Sequence, residues 1–147
     1  MKTINQEFNC SISVAISPRE AFNKICRISE WWVKDVEGTN GQLHDVFTVY
    51  FGTTWVAFKV TDFVPDKTAI WTVMDCNLPW NGDVKEWNGT YLKWEISEEK
   101  SLTKIAFSHI GLAELDCSNQ CMNAWSSYIM QSLFKLITEG KGLPNKF

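Results

Sequence analysis

The last stretch of the chain carries a helical stripe. Its apolar residues fall at Cys121, Met122, Trp125, Ile129, Leu133, Leu136 and Ile137, while Ser126, Gln131 and Lys135 stay polar. A helix with one apolar side needs a surface to cover it. The remainder of the chain offers one kind of surface, a sheet built from amphipathic strands. The spacing predicts a terminal helix over 118–139. Gly140 stands where a left-handed cap is expected, and Pro144 forbids continuation.

The strands are read from alternation. Phe8, Cys10, Ile12, Val14 and Ile16 are separated by polar residues, a period of two that buries one face. Ser17-Pro18-Arg19-Glu20 then reads as a helix start, with Ser17 as cap, Pro18 in the first turn and Glu20 closing a capping box. Ala21, Phe22, Ile25 and Ile28 form one face of that short helix, and Ser29 opens a second turn carrying Trp31 and Trp32. Residues 37–41 read as a loop and 42–50 as a weak strand that strengthens after Val46. Strands are expected over 54–64, with Val56, Phe58 and Val60 on one face, and over 68–76. Residues 77–85 read as a loop. A long strand over 86–97 sets Leu92, Trp94 and Ile96 on one face and Trp87 and Tyr91 on the other. After a tight turn at 98–101, a last strand over 103–109 aligns Ile105, Phe107 and His109. The order β-α-α-β-β-β-β-β-α predicts a single α+β domain over 1–147, with a curved antiparallel sheet of about six strands around the terminal helix.

Composition removes several function classes. With 14 basic and 17 acidic residues and no basic cluster, the chain lacks the concentrated positive charge that nucleic acid requires. No apolar run reaches the roughly 18 residues of a membrane span. The polar start, Met1 to Glu7, has no signal-peptide core, so a cytoplasmic location is expected. Five irregularly spaced cysteines fit reduced thiols better than a disulfide framework. The eight tryptophans imply an aromatic core or a wide pocket lined with rings.

Five groups of residues could carry chemistry or binding. The stripe of Met122, Trp125, Ile129 and Leu133 is either plain core packing or the lid of a cavity. A dry void of about 300 Å³ would cost about 7 kcal/mol, close to the stability of a whole domain. A pocket there should therefore hold a ligand or waters, or be filled by tryptophans. His109 points inward, as a hydrogen-bonded core histidine, a polar anchor or a general base. Cys117 and Cys121 share a spacing that could place two thiolates on one helical face. With His109 they make three ligands, short of the four of structural zinc, so no metal site is assigned. A Cys121–His109 nucleophilic pair lacks an orienting third group. Asp75 and Glu86 flank the 77–85 loop, as acid–base partners of His109 or as solvated strand ends. Trp80, beside Pro79, is either an exposed contact residue or a tucked loop anchor. No phosphate loop or nucleotide fingerprint is present, and no cofactor is implied.

Together these features resemble the START-like (SRPBCC, helix-grip) superfamily, and within it the domains similar to the C-terminal domain of the activator of Hsp90 ATPase. The residues carrying the resemblance are the Phe8–Ile16 strand with Ser17-Pro18-Arg19-Glu20-Ala21-Phe22, the Trp31-Trp32 pair, and Trp87-Asn88-Gly89-Thr90. They continue with Ser108-His109-Ile110-Gly111-Leu112, Trp125 and Gly140-Lys141-Gly142. The resemblance implies a curved sheet gripping the terminal helix with a cavity between them. Its members bind lipids, hormones and polyketides, and a few are cyclases or hydroxylase components.

The expected function is non-catalytic binding of a small apolar or aromatic molecule. The expected walls are Leu92, Trp94, Ile105, Phe107, Met122, Trp125, Ile129 and Leu133, with His109 as polar anchor. Two other readings stand beside it. One is a cyclase or hydrolase using His109 with Asp75 or Glu86. The other is a chaperone-accessory domain meeting a protein partner, or a homodimer, through Trp80 or Trp31.

Overall fold

A computed structural model describes residues 7–111 and 118–144, and the side chains of 8–111 and 122–144. Among these residues, seven strands form one antiparallel sheet: β1 (Glu7–Val14), β2 (Asp35–Gly38), β3 (Val46–Phe51), β4 (Thr54–Val64), β5 (Thr68–Asn77), β6 (Tyr91–Glu99) and β7 (Leu102–Ile110). Their spatial order is β1-β7-β6-β5-β4-β3-β2. Two short helices, α1 (Pro18–Cys26) and α2 (Ile28–Trp31), follow β1. The terminal helix runs as α3 (Ser118–Ser127), a π-helical stretch (Tyr128–Leu133) and α4 (Phe134–Glu139).

Local chemistry sets the boundaries. The Ser17 hydroxyl accepts the Glu20 N–H at 3.1 Å, and the Glu20 carboxylate accepts the Ser17 N–H at 3.3 Å, which completes the capping box. Such a cap contributes about 1 kcal/mol. Lys100 (φ 50°) and Ser101 (φ 72°) are both left-handed, the twist that a two-residue hairpin between β6 and β7 needs. Gly140 ends the terminal helix at φ 81°, with its N–H on the Leu136 carbonyl.

Three expectations are corrected. The sheet has seven strands because Asp35–Gly38, read partly as loop, pairs with β3 through Glu37 opposite Thr48. Its charged residues hide a short edge strand, which pairs through its backbone and through the Tyr50 hydroxyl donating to the Glu37 carboxylate at 2.6 Å. β3 begins at Val46, since the Asp45 carboxylate takes the N–H groups of Gly41 and Gln42, at 3.1 Å each, into a turn. β6 begins at Tyr91 and not at Glu86. Residues 86–90 are wound by Asn88 N–H to Lys85 and Thr90 N–H to Trp87 carbonyl bonds, with Gly89 at φ 85°. Trp87 is therefore not on the outer face with Tyr91: it turns inward and is buried.

Two irregularities bend the sheet. Val60 faces Trp71 and Asp62 faces Ile70, which leaves Thr61 as an extra residue in β4. Phe58 faces Val73 and Ala57 faces Asp75, which leaves Met74 extra in β5. Bulges increase local twist and curvature, and both lie mid-sheet, where curvature makes a concave side. Val56, Phe58 and Val60 of β4, Trp71 and Val73 of β5, Leu92, Trp94 and Ile96 of β6, and Ile105, Phe107 and His109 of β7 all bury on that side.

The terminal helix lays Trp125, Ile129, Leu133 and Ile137 against this surface, all buried. Their spacing of four drifts by about 40° per step in a regular α-helix. The wider turn of a π stretch takes up that drift, and the Phe134 N–H reaches back to the Ile129 carbonyl accordingly. Each buried Leu or Ile contributes about 1.5–3 kcal/mol. Ser132, also buried, donates to the Trp31 carbonyl at 2.6 Å and accepts the Leu143 N–H at 2.7 Å. It ties α2, the helix and the tail together. A side chain at Gly142 would collide with the Glu30 and Ser132 carbonyl oxygens, so only glycine lets the tail pass there.

Candidate functional site

The space between sheet and helix is filled with rings. Trp31, Trp32, Trp71, Trp94, Trp125, Phe47, Phe58 and Phe107 are all fully buried. Phe107 lies between two tryptophans, with its ring centre 4.7 Å from that of Trp94 and 4.7 Å from that of Trp125. Trp32 approaches Trp125 at 4.9 Å, and Trp31 meets Trp94 edge-on at 5.8 Å. Of the expected wall residues, Leu92, Trp94, Ile105, Phe107, Trp125, Ile129 and Leu133 are buried here, and Met122 is half-buried against the same cluster.

His109 sits at the polar end of this cluster with no exposed surface. Its Nδ1 accepts the Trp125 indole N–H at 3.0 Å. Nε2 therefore carries the ring proton and donates to the Thr90 hydroxyl oxygen at 2.9 Å. The Thr90 hydroxyl in turn donates to the Trp87 carbonyl at 2.7 Å. Trp87 closes the group edge-on to the imidazole at 4.7 Å and stacked on Trp125 at 6.3 Å. Burial lowers the His109 pKa to about 3, so the ring is neutral at ordinary pH. With both nitrogens engaged, the ring has no lone pair for a proton or a metal unless Trp125 moves.

The carboxylates do not meet it. Asp75 accepts from Lys85 Nζ at 3.0 Å and from the Cys76 N–H at 2.9 Å, is half exposed, and has its pKa lowered chiefly by the Lys85 hydrogen bond. Glu86 accepts from Asn81 Nδ2 at 3.0 Å. The acid–base pairing expected for an enzyme is not formed. Cys117 and the side chain of Cys121 lie outside the described residues. Among the described residues no cluster of three metal-ligating side chains occurs.

Four tryptophans of the interior were not placed there by the sequence. Trp31 is buried, so it cannot serve as the exposed contact residue; its N–H bonds the Ile25 carbonyl at 3.0 Å. Trp32, Trp71 and Trp87 also line the cluster. For Trp71 the signal was present, since Ala69, Trp71 and Val73 alternate in β5. Nothing local marks Trp87, because its position depends on the 86–90 turn. Trp71 and Trp94 share one further property. Their indole N–H groups are buried and have no hydrogen-bond partner. Each such donor costs about 1–3 kcal/mol.

The cluster thins at one end. Antiparallel connection brings the β3–β4 turn, the 78–90 segment and the end of β7 to that end. There Phe51 and Tyr128 are half-buried and pack on Trp32 at 5.9 and 6.3 Å, and Tyr128 also meets Trp125 at 6.1 Å. Trp80, 47% exposed, is held by its N–H on the Thr54 hydroxyl at 3.0 Å. A separate open groove of about 510 Å³ lies between α2 and the tail, lined by Glu30, Lys34, Leu136 and Lys141 among others. It includes none of the expected wall residues. No helix among the described residues is long and apolar enough to cross a membrane.

No protein-family profile and no curated protein matches the sequence. Solved structures do match in fold. The solution structure of the Aha1 dimer from Colwellia psychrerythraea superposes with a TM-score of 0.77 at 25% identity, over 92% of this chain and 98% of that one. DynU16, from the dynemicin biosynthetic locus, gives 0.70 at 12% identity over 93% of this chain, which spans 49% of DynU16. CalU16 from Micromonospora echinospora gives 0.65 at 10% identity, over 89% of this chain and 74% of that one. The curved sheet, the helix laid across its concave face and these superpositions give the chain a START-like (SRPBCC, helix-grip) fold, similar to that of the Aha1 structure.

Proposed function

We propose that the chain binds a small apolar or aromatic molecule, without catalysis, in the space between the sheet and the terminal helix. One observation carries the reading. A continuous aromatic surface runs from half-exposed Phe51 and Tyr128, past Trp32 and Trp125, to buried Phe107 and Trp94. Leu92, Ile105, Met122, Ile129 and Leu133 complete the walls. As the rings stand, Trp125 covers Phe107 and His109, so a ligand enters by swinging Trp125 aside. That movement frees His109 Nδ1 as an acceptor, the anchor expected of it. Native mass spectrometry of the protein purified under mild conditions tests the reading. A retained mass of a few hundred daltons supports it; a bare chain that also ignores a panel of aromatic compounds contradicts it.

A second reading is self-association. The Aha1 structure similar to this chain is that of a dimer, and Trp80 presents an anchored, half-exposed ring. Sedimentation of the wild type and Trp80→Ala decides it. A dimer lost on substitution supports the reading, and a monomer in both sinks it.

A further inference from the structure

We propose that the interior recognises a neutral acceptor oxygen on its ligand through the indole N–H groups of Trp71 and Trp94; this rests on the interior being the ligand site.

The core is otherwise careful with its polar groups. Trp31 donates to Ile25, Trp125 to His109, His109 to Thr90, Thr90 to Trp87, and Ser132 to Trp31. Among the described residues, the buried side-chain nitrogens left without a partner are those of Trp71 and Trp94. They are neighbours. Trp71 stands opposite Leu92, and Trp94 stands opposite Ala69, so the two indoles sit diagonally across β5 and β6 on the concave face. Their ring centres are 5.5 Å apart. The side chain opposite Trp94 is only a methyl group.

The surroundings define the ligand. Phe47, Phe58, Trp31 and Phe107 pack around the two indoles and offer ring faces but no lone pair. Indole nitrogen donates and never accepts, so the complement must be an acceptor. His109, the buried imidazole of the same core, is neutral, and an ionised carboxylate here would be buried without a cation at high cost. A ketone, quinone or ether oxygen on a flat aromatic frame meets both requirements. The frame would stack among the tryptophans, and the oxygen would take the free N–H groups.

The test uses two probes of equal shape, 2-acetylnaphthalene and 2-isopropenylnaphthalene, which differ by a carbonyl oxygen in place of a methylene. The full chain, labelled with ¹⁵N at its indoles, is titrated with each. The expected result is an affinity about tenfold higher for the ketone, the effect of one buried hydrogen bond. The Trp71 and Trp94 indole proton resonances should move downfield with the ketone and not with the alkene. Trp94→Phe and Trp71→Phe should each reduce the preference, and the wild-type resonances give the answer even where a variant folds poorly. Equal affinity for both probes, or a preference without those two resonances moving, overturns the acceptor assignment while leaving the site in place. Failure of both probes to bind removes the assignment together with the site.

Discussion

The indole N–H of Trp125 donates to Nδ1 of His109 at 3.0 Å, joining the terminal helix to β7 by one buried bond between the two side chains. Trp125→Phe keeps the aromatic body and removes the donor. It leaves Nδ1 buried and unpaired, so a loss of about 1–3 kcal/mol is expected, plus a packing term. Urea denaturation measures it. A double-mutant cycle with His109→Phe should show coupling of at least about 0.5 kcal/mol; independent losses would mean the bond contributes nothing.

Protonating His109 would set a ring N–H against the Trp125 N–H. The folded-state pKa of about 3 lies below the unfolded value near 6.5. Between these values the unfolded chain holds the extra proton. The His109 contribution is therefore full above pH 6.5 and declines as pH falls toward 3. At pH 5 the loss amounts to about 2 kcal/mol relative to neutral pH. His109→Gln should be less stable at neutral pH but show a flatter decline between pH 6.5 and 5. Parallel curves for the two proteins would contradict the account.

Ser132→Ala should cost about 1–3 kcal/mol, because it strands the Trp31 carbonyl and the Leu143 N–H together. Amide exchange at Leu143 should accelerate in the same variant. Gly142→Ala should destabilise by a comparable amount through its clash with the Glu30 and Ser132 carbonyls.

Trp80→Ala removes a half-exposed ring and one hydrogen bond at the surface. Its expected cost is about 1 kcal/mol or less, with ligand binding inside the domain unchanged. A large fall in thermal stability would mean that Trp80 anchors the 78–90 segment.

Much of this was legible in the residues. Period-two alternation placed Ile12 and Val14, Val56 to Val60, and Ile105 to His109 on the buried face. Ser17 and Glu20 announced α1, and the four-residue spacing from Trp125 to Ile137 announced the helix. The misses share a physical cause, which is reliance on distant partners. β2 exists because β3 lies beside it, and its own four residues barely prefer a strand. Trp87 turns inward because of a turn closed by Gly89 and Thr90, which interrupts the alternation that seemed to carry it outward. Nothing in the sequence marks Ser132, and its burial follows from the Trp31 carbonyl and Leu143 N–H that converge on it. His109 pointed inward as expected, but its neighbours on another strand and on the helix decide that its nitrogens are occupied.

The ligand site proposed above is the aromatic interior between sheet and terminal helix. The most direct measurement is the indole ¹H–¹⁵N spectrum of the full chain during titration with 2-acetylnaphthalene. Saturable one-to-one shifts are expected at Trp32, Trp71, Trp94 and Trp125, with Trp80 unmoved. Shifts confined to Trp80, or none at saturating probe, would contradict it.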